Sequence, residues 1–205
     1  MGEVRRTWMH TMLGRDNRIT DASLIGHTVH SATFFASTTM VAVAALLGLL
    51  GGFEHTYATL RDLAFTAKAS RGFTEAKLLL LLVVFAHTFL KLSWALRQLN
   101  YTLALIGAAP LKPGARQREQ IASQLGILLS LAVRSFNAGI RGYYFALAAL
   151  AWLLGPGAFM AATCGMVAML LWRQFASGTA SAIRRSHTAV LGEEAQEFAG
   201  AVQPR

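Results

Sequence analysis

Apolar and polar positions fall in long blocks along this chain rather than in the short alternations of strands. Residues 24–50 carry no charge beyond what His27 and His30 supply, and the block is longer than the roughly 20 residues a helix needs to cross a bilayer. Its first half is rich in hydroxyls, from Thr28 to Thr39, each suited to bond a carbonyl one turn back or a neighbouring helix. A second block, 76–97, places His87 and Lys91 four residues apart on one helical face, continued outward by Trp94, Gln98 and Tyr101. Blocks three and four, 130–154 and 158–175, are separated only by Gly155-Pro156-Gly157, which predicts a tight turn and an antiparallel helical hairpin. Between the first two blocks, 53–74 is too polar to span, and a short surface helix is expected at about 57–69. Pro110, Pro113 and Gly114 mark a loop. Residues 116–129 then read as a helix that runs on into the third block, straight or kinked at Gly139 or Gly142. Asp21 or Ser23 is the expected N-cap of the first block.

Composition agrees with lipid as the solvent: 54% of residues are hydrophobic, 14% are charged and the mean hydropathy is +0.43. The fold class predicted is therefore all-α, a polytopic membrane protein of four transmembrane helices with an additional short surface helix and a cytoplasmic extension of the third helix. Residues 1–23 form a basic segment at the membrane surface, 24–177 the transmembrane domain with spans at about 24–50, 76–97, 130–154 and 158–175, and 178–205 a cytoplasmic tail. Formal net charge is +9, which in a soluble protein would suggest nucleic acid as a partner. Here the basic residues flank apolar blocks, the distribution of membrane-anchoring charges, so nucleic acid is set aside. Arg5-Arg6 is followed by Arg15, Asp16 and Arg18 instead of an apolar stretch, so no cleavable signal is expected. Lysines and arginines at 5, 6, 15, 18, 97, 112, 116, 118, 173, 184 and 185 all fall on one side of a four-span chain. That bias predicts a multi-pass inner-membrane protein with both termini in the cytoplasm.

Candidate chemistry centres on the third block. Arg134, Asn137, Arg141 and Tyr144, spaced three, four and three apart, form one polar stripe on a helix. Together with Lys91 and His87 they are the expected site for a small anion or an anionic lipid headgroup, bound or conducted. A bis-histidine haem, with His30 and His87 as ligands from two helices at similar depth, is a minor alternative. The lone Cys164 excludes an intrachain disulfide and is expected to pack as a small residue. No paired carboxylate lies inside a span, and GxSxG, Walker and HExxH patterns are missing, so no catalytic residue, metal or cofactor is assigned and the expectation is a protein that is not an enzyme.

Three segments carry a resemblance: FFASTTM at 34–40, KLLLLLVVFAHTFLKLSWALRQLNY at 77–101 and FNAGIRGYYFALAALAWLLGP at 136–156. In these the chain resembles domain-of-unknown-function family 599. The resemblance implies a small integral membrane protein of about four spans with no assigned activity, and it supplies architecture without catalytic residues. Expected partners are the lipid bilayer and either a second copy or another subunit of a membrane complex. The alternative to anion or headgroup binding is a structural or accessory subunit whose polar stripe only holds helices together.

Overall fold

A computed structural model describes residues 1–63 and 70–175. Among the described residues it is all-helical: α1 (Gly2–Leu13), α2 (Ile19–Gly51), α3 (Phe53–Leu63), α4 (Arg71–Ala108), α5 (Ala115–Leu154) and α6 (Pro156–Phe175). Three of these, α2, α4 and α5, are long and apolar enough to cross a membrane, while α6 is a shorter apolar helix over Pro156–Trp172. Of the surface helix expected at 57–69, the described part begins earlier, at Phe53, and 64–69 lie outside the described residues.

The bundle is built on one long seam. Buried residues of α4 recur at Leu78, Leu81, Phe85, Thr88, Leu92, Ala95, Leu99, Thr102 and Ile106, at alternating intervals of three and four. Those of α5 follow the same rhythm at Ala122, Leu125, Leu129, Ala132, Gly139 and Ala146, with Phe136 and Tyr143 half-buried between them. A 3.5-residue period is the signature of a left-handed coiled-coil seam. The helices run antiparallel: Gly139 packs on Leu92, Gly142 on Thr88, and Lys77 reaches Trp152. With 38 and 40 residues they measure about 57 and 60 Å, nearly twice the roughly 30 Å of a hydrocarbon core. Gly139 and Gly142 are close-packing positions within an unbroken helix.

α2 lies along α4, and its hydroxyls behave as their sequence suggests. Thr28, Ser31, Thr33, Thr38 and Thr39 each donate to the carbonyl four residues back. Thr39 also ties the helix to α5. Its Oγ1 lies 2.6 Å from the Tyr143 hydroxyl, and both donate toward the Phe35 carbonyl at 2.7 Å. Edge-to-face contacts of Phe35 with Phe136 and Tyr143 complete this knot between two apolar cores. One core gathers Leu46, Leu78, Leu81, Phe85, Ala146 and Ala149; the other gathers Met9, Met12, Ile25, Leu99, Ile106 and Leu125 among its members.

The N-terminal segment is a helix docked on protein. α1 runs antiparallel to the first turns of α5, burying Met9, Met12 and Leu13. Arg5 donates to Ser130, Arg6 pairs with Glu119, and the backbone of Arg6 packs against Gly126. Asp21 is not an N-cap. α2 begins at Ile19, whose N–H donates to Asn17, while Asp21 is fully buried and accepts from Trp8 Nε1 at 2.7 Å and Arg15 Nη1 at 2.6 Å. Arg18 donates to the carbonyls of Ala109 and Pro110, closing the loop after α4.

At the far end, Gly155 turns the chain with φ of 140°, a backbone conformation that favours glycine, and Pro156 opens α6 at its first position. Lys77 is buried there. Its Nζ donates to the Trp152 carbonyl at 2.9 Å, which also accepts from the Gly155 N–H, and sits over the rings of Phe73 and Trp152 at the end of α5. Beside it, Arg71 pairs with Glu54 and stacks on Phe53, joining α3 to α4.

A pH dependence follows from the α1 clasp. The hydrogen bond from Arg6, helped by the charges of Arg6 and His10 against a partial desolvation, holds the Glu119 carboxyl below the usual carboxylate range. A depressed folded-state pKa contributes stability above the unfolded value, and that contribution is lost as pH falls through the folded one. Below about pH 4, α1 is therefore expected to loosen by about 0.2–1 kcal/mol, the worth of an exposed pair. Protease sensitivity of α1 measured against pH tests this, and Glu119→Gln should abolish the change. An identical profile in the variant would refute it.

Candidate functional site: a cationic stripe on α5

The coiled-coil seam fixes how α5 is rotated, and this decides where its polar residues stand. Gly139 and Gly142 face α4. At about 100° per residue, Arg134, Asn137 and Arg141 lie roughly half a turn round the helix from Gly139, on the side turned away from α4. All three are exposed; Tyr144 is half-buried and engaged within the chain. Phe145 beside them is 60% exposed and Leu131 43%. The stripe is thus a ladder of polar groups on an otherwise apolar outer surface.

Lys91 and His87 do not join it. Lys91 is half-buried beside the seam on α4, and His87 is exposed on the outward surface of α4. Gln98, expected to continue the face of His87 and Lys91, is buried and accepts from Ser135 at 3.0 Å. The structure brings a different cation to the stripe. Arg5 of α1 donates to Ser130 at 3.3 Å, and Ser130 precedes Arg134 by one helical turn on the same face. Sequence offered no signal for this, since the two residues are 125 positions apart.

Charge in the stripe is uncompensated among the described residues. Arg134, Arg141 and Lys91 make no ion pair there, whereas Glu119, Asp21 and Glu54 are committed to Arg6, Arg15 and Arg71. Glu75 stands at the opposite end of the bundle, four residues after Arg71.

The proposed haem ligands His30 and His87 are both exposed on helix surfaces rather than enclosed between helices. No group of three His, Cys, Asp or Glu able to hold a metal occurs among the described residues. Cys164 is exposed, contrary to the expected packing role, and its neighbours Gly165 and Ala168 are exposed as well. Residues missed in the sequence reading are Tyr143 and Lys77. Tyr143 adjoins the stripe residue Tyr144 but faces α2, and the carbonyl partner of Lys77 lies 75 residues away in the sequence.

No curated protein and no solved structure matches this chain. A family model does, over residues 1–179, and the all-helical architecture with span-length apolar helices fits the resemblance carried by residues 34–40, 77–101 and 136–156. The chain belongs to the family described as "Protein of unknown function, DUF599".

Proposed function

We propose that this protein is a non-enzymatic, four-span inner-membrane protein, with both termini cytoplasmic, that binds an anionic lipid headgroup on the α5 stripe. The observation that supports this most is an exposed row of Arg134, Asn137 and Arg141, unneutralised among the described residues, on the outer face of a span-length helix. With Leu154 at one boundary of the hydrocarbon, twenty residues place Arg134 about 30 Å away, at the other boundary. Arg141 then lies about 10 Å inside, and its long side chain extends back toward the headgroup level past Asn137. A bound headgroup phosphate, carrying one negative charge, offsets half of the charge of the two guanidiniums while acyl chains lie along Phe145 and Leu147. A permeation path fits less well, because its walls need several helices and Lys91 and His87 stand elsewhere.

The test is native mass spectrometry of the purified full chain with phosphatidylglycerol against phosphatidylcholine. Each cation near a headgroup is worth about 1 kcal/mol, so Arg134→Ala with Arg141→Ala should weaken phosphatidylglycerol retention about thirtyfold and leave phosphatidylcholine unchanged. Equal retention by a variant of unchanged thermal stability would sink the reading. A second reading, an accessory subunit of a membrane complex, draws support from Cys164, Gly165 and Ala168, small residues left uncovered on α6. Co-purification from native membranes separates the two.

A further inference from the structure

We propose that the corner of the bundle where the α1–α2 turn meets the start of α5 binds a phosphate dianion, free or carried by a water-soluble metabolite. The site is separate from the α5 stripe and does not rest on the reading of that stripe. Arg118 stands sixteen residues before Arg134 on one continuous helix, about 24 Å along it, so a headgroup held at the stripe does not reach it.

Two short segments build the corner: residues 14–18 join α1 to α2, and residues 109–114 join α4 to α5. Arg18 ties them together, donating through Nη1 to the Ala109 carbonyl and through Nη2 to that of Pro110. Arg118 lays its guanidinium on Gly14, in the space that a β-carbon there would fill. Both arginines are half-buried, and the Nε of each is shut off from solvent with no hydrogen-bond partner. The Arg118 guanidinium has no acceptor at all among the described residues. A desolvated donor without an acceptor costs free energy that an anion within hydrogen-bonding reach recovers.

The helix end beside these arginines favours the same ligand. α5 starts at Gly114 without a side-chain cap, so the amides of its first turn lack an acceptor from that source. No acid lies in that turn; Arg116 does, and Arg118 follows, which sets cations at the positive end of the helix dipole. That order is unfavourable by itself and favourable around a bound anion.

Acids of the chain do not fill the role. Glu119 is paired with Arg6 and Asp21 with Arg15. Glu3 is engaged within the chain at the opposite end of α1, two residues before the Arg5 that bonds Ser130. Asp16, exposed in the turn, makes no ion pair among the described residues and is a single charge against Arg18, Lys112, Arg116 and Arg118. This surplus of cations selects a dianion over a monovalent ion, and guanidiniums with open amides match phosphate oxygens in geometry.

Protection of the α1–α2 turn tests this on the purified full chain in a neutral detergent. Trypsin cleavage after Arg15 is followed against rising inorganic phosphate or glycerol phosphate, with sodium chloride holding the ionic strength constant and a peptide substrate reporting on the protease itself. We expect both probes to protect, and Arg118→Gln to raise the half-protecting concentration about tenfold, the worth of a hydrogen bond to a charged group. Lys112→Gln, at an exposed position, should raise it about threefold, and Arg134→Ala should leave it unchanged. Protection by inorganic phosphate alone supports the site and assigns it to the free ion. No protection by either probe, an unshifted concentration in Arg118→Gln, or an equal loss in Arg134→Ala would overturn the proposal. Should Arg118→Gln lower the thermal midpoint, Lys112→Gln decides, and an unshifted concentration there overturns the proposal as well. Phosphatidylglycerol retention is read at the stripe and phosphate protection at this corner, so each can fail while the other stands.

Discussion

Asp21→Ala is expected to free α1 from the bundle, at a cost of about 3 kcal/mol. Asp21 is fully buried and accepts from both Trp8 and Arg15, and hydrogen bonds to a charged group are worth about 1.5–3 kcal/mol each, more when an unpaired partner is left behind. The second carboxylate oxygen, Oδ2, is buried without a hydrogen-bond partner, which offsets part of that gain in the native protein. Asp21→Asn keeps an acceptor for Trp8 and loses only the charge, so about 1 kcal/mol is expected. Thermal unfolding in detergent, together with quenching of Trp8 and protease cleavage after Arg15, reads both effects. An unchanged midpoint with an inaccessible Trp8 in the alanine variant would show that α1 is held by its apolar face alone.

Gly142→Leu is the second large effect. A β-carbon at Gly142 meets Thr88 Oγ1 at 2.0 Å and Thr88 Cβ at 3.0 Å, and Thr88 is itself buried and bonded to the Val84 carbonyl. The neighbour is short and fixed, so the helices must separate. Overpacking of this kind costs about 1–3 kcal/mol, and the seam on either side magnifies it by losing contacts. At Gly139 the obstacles are Leu92 Cδ2 at 2.6 Å and Cγ at 2.7 Å, both beyond the β-carbon of that side chain, whereas at Gly142 the Thr88 β-carbon itself stands at 3.0 Å. Gly139→Ala should therefore cost less than Gly142→Ala. Midpoints of thermal aggregation for the three variants decide this, and a harsher Gly139→Ala would contradict the packing.

Much of the architecture was legible because bilayer spans are long. The turn at Gly155-Pro156-Gly157 and the run of 116–129 into the third block both stand in the structure as read. The seam was harder to see. Its rhythm is present in the α4 sequence, but the outward positions Leu79, Leu80, Val83 and Leu90 are as apolar as the inward ones, so no contrast marks the buried row. In lipid, exposure carries no hydrophobic penalty, and amphipathic periodicity fades. The stripe on α5 was visible because its residues are polar. What escaped was rotation: which residues on α4 it would meet depends on Gly139 and Gly142 docking against Leu92 and Thr88, a tertiary fact. The same cause separates Tyr143 from Tyr144, neighbours in the chain that face different surroundings.

The docking of α1 has a consequence for how the protein is made. Met9, Met12 and Leu13 have their partners on segments that follow, among them Leu125 and Leu129 of α5, and Arg5 waits for Ser130. α1 thus keeps an unmatched apolar face until the first turns of α5, more than a hundred residues later, have been translated and packed. Completion of the bundle at this end is a late step in biogenesis, closed by a segment made well before its partner.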